Sequence, residues 1–248
     1  MGLLHPGEMG AALGAALRQR GHDVIWASAG RSDATAERAR RAGLRDVETI
    51  REVARQSDVI LSVCPPHAAS EVARSFTDFR GIYVDANAIS PATTRKIGAQ
   101  LSSYVDGGII GSPPREHGTT RLYLSGVDAA SVAELFADTV VDTHVLSAEI
   151  GDASALKMVY AAWTKGTAAL LLALREAARA EGVEAALLSE WDESLPDLRR
   201  RAECAEQSAA AKGWRWVAEM EEIASTFGAA GQPEGFHLAA ADVFRRGT

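Results

Sequence analysis

Lys157 and the pair Gly7 and Gly10 are the residues whose types and placement best suit chemistry. Lysine carries an amine that holds or releases a proton once burial or a nearby positive charge lowers its affinity for that proton. Glycines placed directly after a short apolar strand let backbone N–H groups approach an anion that a Cβ would hold away. By position alone Lys157 reads first as a solvated surface amine, and a place at a reaction centre needs support from the residues before it. The turn His5-Pro6-Gly7-Glu8-Met9-Gly10 matches the last two glycines of G-x-G-x-x-G, with His5 standing at the first, so an ordinary tight turn is the competing reading. Cys64 in an apolar run and Cys204 in a polar stretch have neither a disulfide framework nor metal-ligand spacing, and no metal site is expected.

Lys157 lies near the start of GDASALKMVYAAWTKGTAALLLALREAARAEG, residues 151–182, which contains no proline and reads as one helix of about 30 residues. Asp152 or Ser154 suits its cap and Gly182 its end. Leu156, Val159, Trp163, Leu170, Leu174 and Ala177 recur at helical spacing, a stripe that must be covered. Before this helix, strand patterns (2–4, 23–27, 58–64, 82–85, 104–106, 122–125, 143–146) alternate with helical ones (11–20, 34–42, 47–56, 68–75, 91–101, 131–139). The alternation predicts an α/β fold, a Rossmann-type doubly wound parallel sheet, over 1–148. Residues 149–248 are expected to form a small all-α domain that begins with the long helix. Its later helices fall at 187–193, 195–211, 214–227 and 236–246, broken at Pro196, at Gly213 and over 228–235.

Ligands of such sheets lie at the carboxyl ends of the strands, where Ser28, Pro65, Asn87 and Gly107 fall. After the second strand, Arg31 stands between Ser28 and Ser32 where an acidic residue would take a ribose 2′-OH, so a 2′-phosphate, hence NADP rather than NAD, is the expected ligand. Asp33 is expected to face solvent or to cap the following helix.

A formal net charge of -7 argues against a broad nucleic-acid surface, and Arg199, Arg200 and Arg201, followed by Glu203 and Glu206, read as a solvated helix face. No run is long and apolar enough to span a bilayer and no secretion pattern opens the chain, so a cytoplasmic protein without a membrane is expected. The first strand is so short that the true start is expected a few residues upstream. His22 and His144 read as structural. His237, beside Phe236, is a candidate to face a cleft, and Trp214, Trp216 and Met220 read as core before pocket.

MGAALGAALRQRGHDV, VILSVCPP, VDANAISPATTRKI, VDGGIIG, GTTRLYLSG and GDASALKMVYA occur in one order and spacing. In this the chain resembles the β-hydroxyacid dehydrogenase and 6-phosphogluconate dehydrogenase superfamily, over the whole N-terminal domain and the start of the long helix. The tail, GWRWVAEMEEIASTF and PEGFH, is similar to the short helical domain of some phosphogluconate-dehydrogenase-like proteins. The resemblance implies that His5, Pro6, Gly7, Glu8 and Met9 with Gly10 form the phosphate turn, and that Arg31, with Ser28 and Ser32, meets the 2′-phosphate. It also implies that Cys64, Pro65 and Pro66 line the cofactor, that Asn87 and Ser90 lie near the nicotinamide ribose, and that Lys157 is the catalytic lysine. The chain departs from the pattern at Ile110-Gly111-Ser112, where hydroxyacid members carry Ser-Gly-Gly, and at Ala161, where they carry asparagine. Imine reductases also have a nonpolar residue at the Ile110 position, though they generally replace the lysine. Tyr160 and Thr164, one and two turns beyond Lys157, are then candidates to supply polar groups.

The expected activity is NADP(H)-dependent hydride transfer on a small hydroxy or keto substrate, with Lys157 as general acid and base and Tyr160 beside it. An imine reductase is the alternative, and a non-catalytic NADP-binding sensor or scaffold the reading from another class. Ile110, Gly111, Thr164 and His237 are the substrate candidates. The uncovered stripe, together with the resemblance, implies a homodimer through the long helix and C-terminal domain.

Overall fold

The computed structural model describes residues 1–247, and they form two compact units that divide between Lys157 and Met158. In the first, β1 (Gly2–Leu4), α1 (Glu8–Gln19), β2 (Ile25–Trp26), α2 (Asp33–Arg41), β3 (Arg45–Asp46), α3 (Ile50–Arg55) and β4 (Val59–Ser62) follow in order. Then come α4 (Ala69–Arg74), β5 (Ile82–Asp85), α5 (Pro91–Gly98), β6 (Tyr104–Gly111), β7 (Thr120–Ser125), α6 (Ala129–Glu134) and β8 (Val141–Ser147). The strands make one sheet in the order β3-β2-β1-β4-β5-β6-β7-β8, parallel except where β7 runs against β6. The order reverses between β1 and β4, which creates a crevice at their carboxyl ends.

Successive residues of the central strands bury on opposite faces. Leu3, Leu61, Val84 and Val105 enter one core with Leu13, Leu17 and Trp26. Their neighbours Leu4, Ile60, Tyr83 and Tyr104 enter the other, with Phe76 and Ile97. A strand buried on both faces is apolar throughout, which is why VILS and IYVD lack polar alternation.

Three sequence expectations need correction. The pair Arg45–Asp46 is a strand, β3; it is short and charged because it sits at the exposed sheet edge. Gly107 does not end a strand. Parallel pairing with β5 stops at Asp85 opposite Asp106, but β6 continues to Gly111 as the partner of β7. Gly213 does not break a helix either. It lies buried within α9 (Leu198–Ala229). A lone glycine costs about 1 kcal/mol in a helix, and the packing of Met220, Ile223 and Ala224 on the same helix outweighs it.

The helix α7 (Asp152–Ala180) begins in the first unit and continues into the second. The second unit adds α8 (Glu184–Ser194), α9 and α10 (Gly235–Arg246). Trp191 packs with Leu171 and Ala202, and the Trp216 ring meets Phe244 edge-on at 5.0 Å. Arg175 ties these helices together through Glu184 at 2.8 Å and Glu206 at 2.7 Å. Trp214 is half exposed under Arg215 and is no core residue. Arg199 and Arg200 pair with Asp192 and Asp197 on the surface. No helix is long and apolar enough to cross a membrane among the described residues.

Candidate dinucleotide site and the lysine beside it

The turn after β1 is built for close approach. His5 takes a φ of 62°, the left-handed conformation that glycine adopts without strain. Its carbonyl accepts from Gly7 N at 2.7 Å, and a Cβ on Gly10 would come within 2.7 Å of that same oxygen. Gly7 is the N-cap of α1 and brings no side chain to it, so the first N–H groups of α1 have no side-chain cap and the helix end suits an anion. Pro6 is buried, Met9 half-buried, and Glu8 exposed in the first turn. Sequence reasoning missed Arg38, whose Nε donates to the Pro6 carbonyl at 3.3 Å and so fastens α2 to the turn. Its place on a helix that also carries Glu37, Arg40 and Arg41 gave no signal.

The loop after β2 presents Ser28 and Arg31, both half-buried. Asp46, at the end of β3, accepts from Ser28 N at 3.2 Å and holds this loop. Ser32 is the N-cap of α2, its Oγ accepting from Thr35 N at 3.3 Å. Asp33 is therefore the first helical residue, exposed, and not the cap.

After β4 and β5 the chain ends are stapled by Asn87. Its Oδ1 accepts from Cys64 N at 2.6 Å, its Nδ2 donates to Ser62 Oγ at 3.2 Å, and its own N–H donates to Asp85 Oδ1 at 3.0 Å. Cys64 is buried, and burial pushes its thiol up to about 12, so it stays protonated. Pro65 and Pro66 follow as the half-buried start of a single 3-10 turn. Ser90, buried, caps α5 by accepting from Thr93 N at 3.2 Å. The candidate residues from His5 to Ser90 thus gather at the carboxyl ends of β1, β2, β4 and β5.

The start of α7 is held by a buried carboxylate absent from the sequence expectations. Asp106 accepts from Gly151 N at 3.0 Å, Ser154 N at 2.9 Å, Ser154 Oγ at 2.6 Å and Ser125 Oγ at 3.1 Å. Burial raises its pKa, while these donors and the positive end of α7 favour the ionised form. The signal for it was the Asp in VDGG, one position before the glycines. Gly108 makes room for α7, since a Cβ there would meet Ala153 O at 2.6 Å, whereas Gly107 faces the end of β5, where a Cβ would meet Asp85 O at 3.2 Å. With α7 drawn this close, Lys157 Nζ donates to the Ile109 carbonyl at 2.8 Å.

The other candidates fall differently. Ile110 is buried, and Gly111 ends β6 exposed with a φ of 121°. Tyr160 is 45% exposed. Thr164 belongs to the second unit, and its hydroxyl donates to Ala161 O of its own helix at 3.3 Å. His237 also belongs there. It is buried, its ring stands 4.2 Å from that of Phe227, and burial lowers its pKa. It lines a largely apolar cavity of about 530 Å³ with Leu170, Phe236 and Val243. His22 hydrogen-bonds the Leu135 carbonyl at 3.1 Å and His144 stacks on Tyr123, both structural as expected. A larger hollow, about 850 Å³, lies among Arg51, Asp58 and Arg80, at the amino ends of β4 and β5 and so away from the dinucleotide crevice.

Known proteins resemble the chain in the same two pieces. Residues 1–88 match a family model described as NADP oxidoreductase, coenzyme F420-dependent. Residues 178–247 match a domain of unknown function, DUF1932. A solved conserved protein of unknown function, described as structurally similar to 3-hydroxyacid dehydrogenases, is 31% identical, with 99% of this chain and 96% of that one covered and a TM-score of 0.70. An uncharacterized 28.5 kDa protein of Methanothermus fervidus is 32% identical over 170 residues, 66% of this chain, and the match spans 65% of that relative's length. At the level of fold alone, a 3-hydroxyisobutyrate dehydrogenase of Mycobacterium tuberculosis is 18% identical, with coverages of 99% and 92% and a TM-score of 0.67. An imine reductase of Streptomyces aurantiacus is likewise 18% identical, with coverages of 99% and 93% and a TM-score of 0.56. At 31% identity over nearly the whole of both chains, the chain belongs with that conserved protein to the 3-hydroxyacid dehydrogenase-like superfamily, and it opens with an NADP-oxidoreductase-type Rossmann domain.

Proposed function

We propose that the protein is an NADP(H)-dependent oxidoreductase acting on a small hydroxy or keto compound, with Lys157 holding the proton that accompanies the hydride. The observation that carries this is the anchoring of Lys157: Asp106 fixes the first turn of α7, and the lysine Nζ is held on the Ile109 carbonyl at 2.8 Å. The residues at the crevice fit a phosphorylated dinucleotide. Gly10 lets α1 start tight against the His5 carbonyl, Gly7 has only that carbonyl, 4.0 Å away, near where a Cβ would stand, the end of α1 lacks a side-chain cap, and Arg31 supplies a cation after β2. Gly7 to Gly10 would hold the pyrophosphate, Arg31, Ser28 and Ser32 the 2′-phosphate, and the 64–66 and 87–90 loops the nicotinamide end.

When bound, the coenzyme supplies or accepts a hydride at nicotinamide C4. Lys157 donates a proton to the substrate oxygen as the carbon is reduced, or takes it as the carbon is oxidised. The Ile109 carbonyl orients the amine during either transfer. Tyr160 lies one helical turn from Lys157 and is assigned an assisting polar role; Thr164 and His237 are assigned to the substrate, as are Ile110 and Gly111.

Ile110 favours a second reading, an imine reductase, because a buried aliphatic side chain takes the place of a substrate-binding serine. Lys157 favours the first. A sensor or scaffold that binds NADP without turnover is the reading of another class, motivated by the same missing anchors. One screen separates them: NADPH oxidation and NADP reduction against ketones, keto acids, hydroxy acids and cyclic imines. Turnover of oxygen compounds supports the dehydrogenase, turnover of imines alone the reductase, and tight binding without turnover the sensor.

A homodimer through α7 and the C-terminal unit completes the proposal. Val159, Trp163 and Leu170 are 57%, 65% and 56% exposed, which is unusual for an apolar stripe on one helix. Sedimentation at micromolar concentration should give twice the chain mass; a monomer would refute it.

A further inference from the structure

The conformation of His5 is expensive for what it visibly does. It stands where a dinucleotide fingerprint has its first glycine, and it holds the left-handed backbone that glycine holds freely, at a φ of 62°. Its Nδ1 is buried and meets no hydrogen-bond partner among the described residues. Burial, and then the nearby positive charge of Arg31, push its pKa down to about 4, so the ring is neutral and its environment electropositive. A glycine would avoid both the backbone strain and the unpaired nitrogen.

The placement says what could repay this. His5 follows β1 and Arg31 follows β2, and these strands are parallel neighbours with Gly2 opposite Ile25. Both residues therefore rise at the carboxyl edge of the sheet, on the neighbouring strands β1 and β2, where the crevice opens. An imidazole there adds a polar group beside the guanidinium, at the adenosine end of a bound dinucleotide. We propose that His5 is a specificity-determining residue: with Arg31 it forms the recognition site for the 2′-phosphate and so selects the phosphorylated dinucleotide over the unphosphorylated one. The proposal rests on the dinucleotide reading above. The neutral ring has an N–H to donate to a phosphate oxygen, and the anion offsets the positive field that surrounds the ring.

Calorimetric titration of the full chain with NADPH and with NADH tests it. The wild type should prefer NADPH. His5→Gly, which suits the backbone conformation and should fold, is expected to cut the NADPH-to-NADH affinity ratio about tenfold, the worth of one hydrogen bond to a charged group. His5→Asn, which also tolerates the left-handed conformation and keeps a donor, should recover part of the ratio. An unchanged ratio in His5→Gly, or a wild type that prefers NADH, overturns the role of His5 while leaving dinucleotide binding intact. A wild type that takes up neither dinucleotide overturns the underlying reading instead.

Discussion

Lys157 Nζ donates to the carbonyl of Ile109 across 2.8 Å, tying the long helix to a strand that carries glycine at the two preceding positions. The contact exists only because Gly108 lets the helix backbone approach, and because Asp106 accepts the N–H groups of the helix's first turn.

Lys157→Met removes the amine and retains an aliphatic stem of similar length. NADPH affinity should stay within about twofold, while turnover on any substrate found in the screen falls by roughly 10²–10⁴, the usual worth of a general acid or base. Steady-state kinetics beside titration check this. Near-full activity would remove Lys157 from the mechanism.

Gly108→Ala places a Cβ 2.6 Å from the Ala153 carbonyl and 3.1 Å from Lys157 Cβ, so the helix must shift. The expected cost is about 1–3 kcal/mol, as for other overpacked interiors. Urea unfolding should show Gly108→Ala less stable than Gly107→Ala, whose nearest contact is 3.2 Å. Equal stability of the two variants would mean that the close approach is not required.

Asp106→Asn leaves the shape of the side chain but turns one acceptor into a donor facing Ser154 and Thr94, or Gly151 and Ser125. Losing charge-assisted hydrogen bonds at a helix start should cost about 2 kcal/mol. Amide hydrogen exchange at Gly151 and Ser154 should accelerate selectively. Unchanged protection there would show that the helix start is held by other contacts.

Asp85 gives stability a pH dependence. It is fully buried beside Asp106, its Oδ2 has no hydrogen-bond partner among the described residues, and burial pushes its carboxyl up to about 7 from an ordinary 3.8. Between these values the native state keeps a proton that the unfolded chain has released, so the contribution is favourable at low pH and is lost as pH rises toward about 7. Asp85→Asn stays neutral throughout. The stability of the variant relative to wild type should therefore increase between about pH 4 and pH 7 in denaturant titrations and level off above that. A difference independent of pH would place the Asp85 carboxyl in its usual range.

The sequence by itself determined the strand-helix alternation, the single long helix over 151–182 and the four loops that meet at the crevice. Apolar periodicity, glycine and proline placement and cap residues are local properties, and the chain displays them in order. It also marked Lys157, through the neighbouring motifs more than through the lysine itself.

Only the tertiary structure decided what those residues touch. Nothing local shows that Asp106 would sit beneath the first turn of α7, that Arg38 would reach the Pro6 carbonyl, or that Asn87 would spend its amide joining two strand ends. These are pairings between segments far apart in the chain, set by strand order and by burial that forces each polar group to find a partner. The same reason explains Gly213 and β3: a glycine persists in a helix, and a charged dipeptide forms a strand, because neighbours outside the local window supply the packing or the hydrogen bonds.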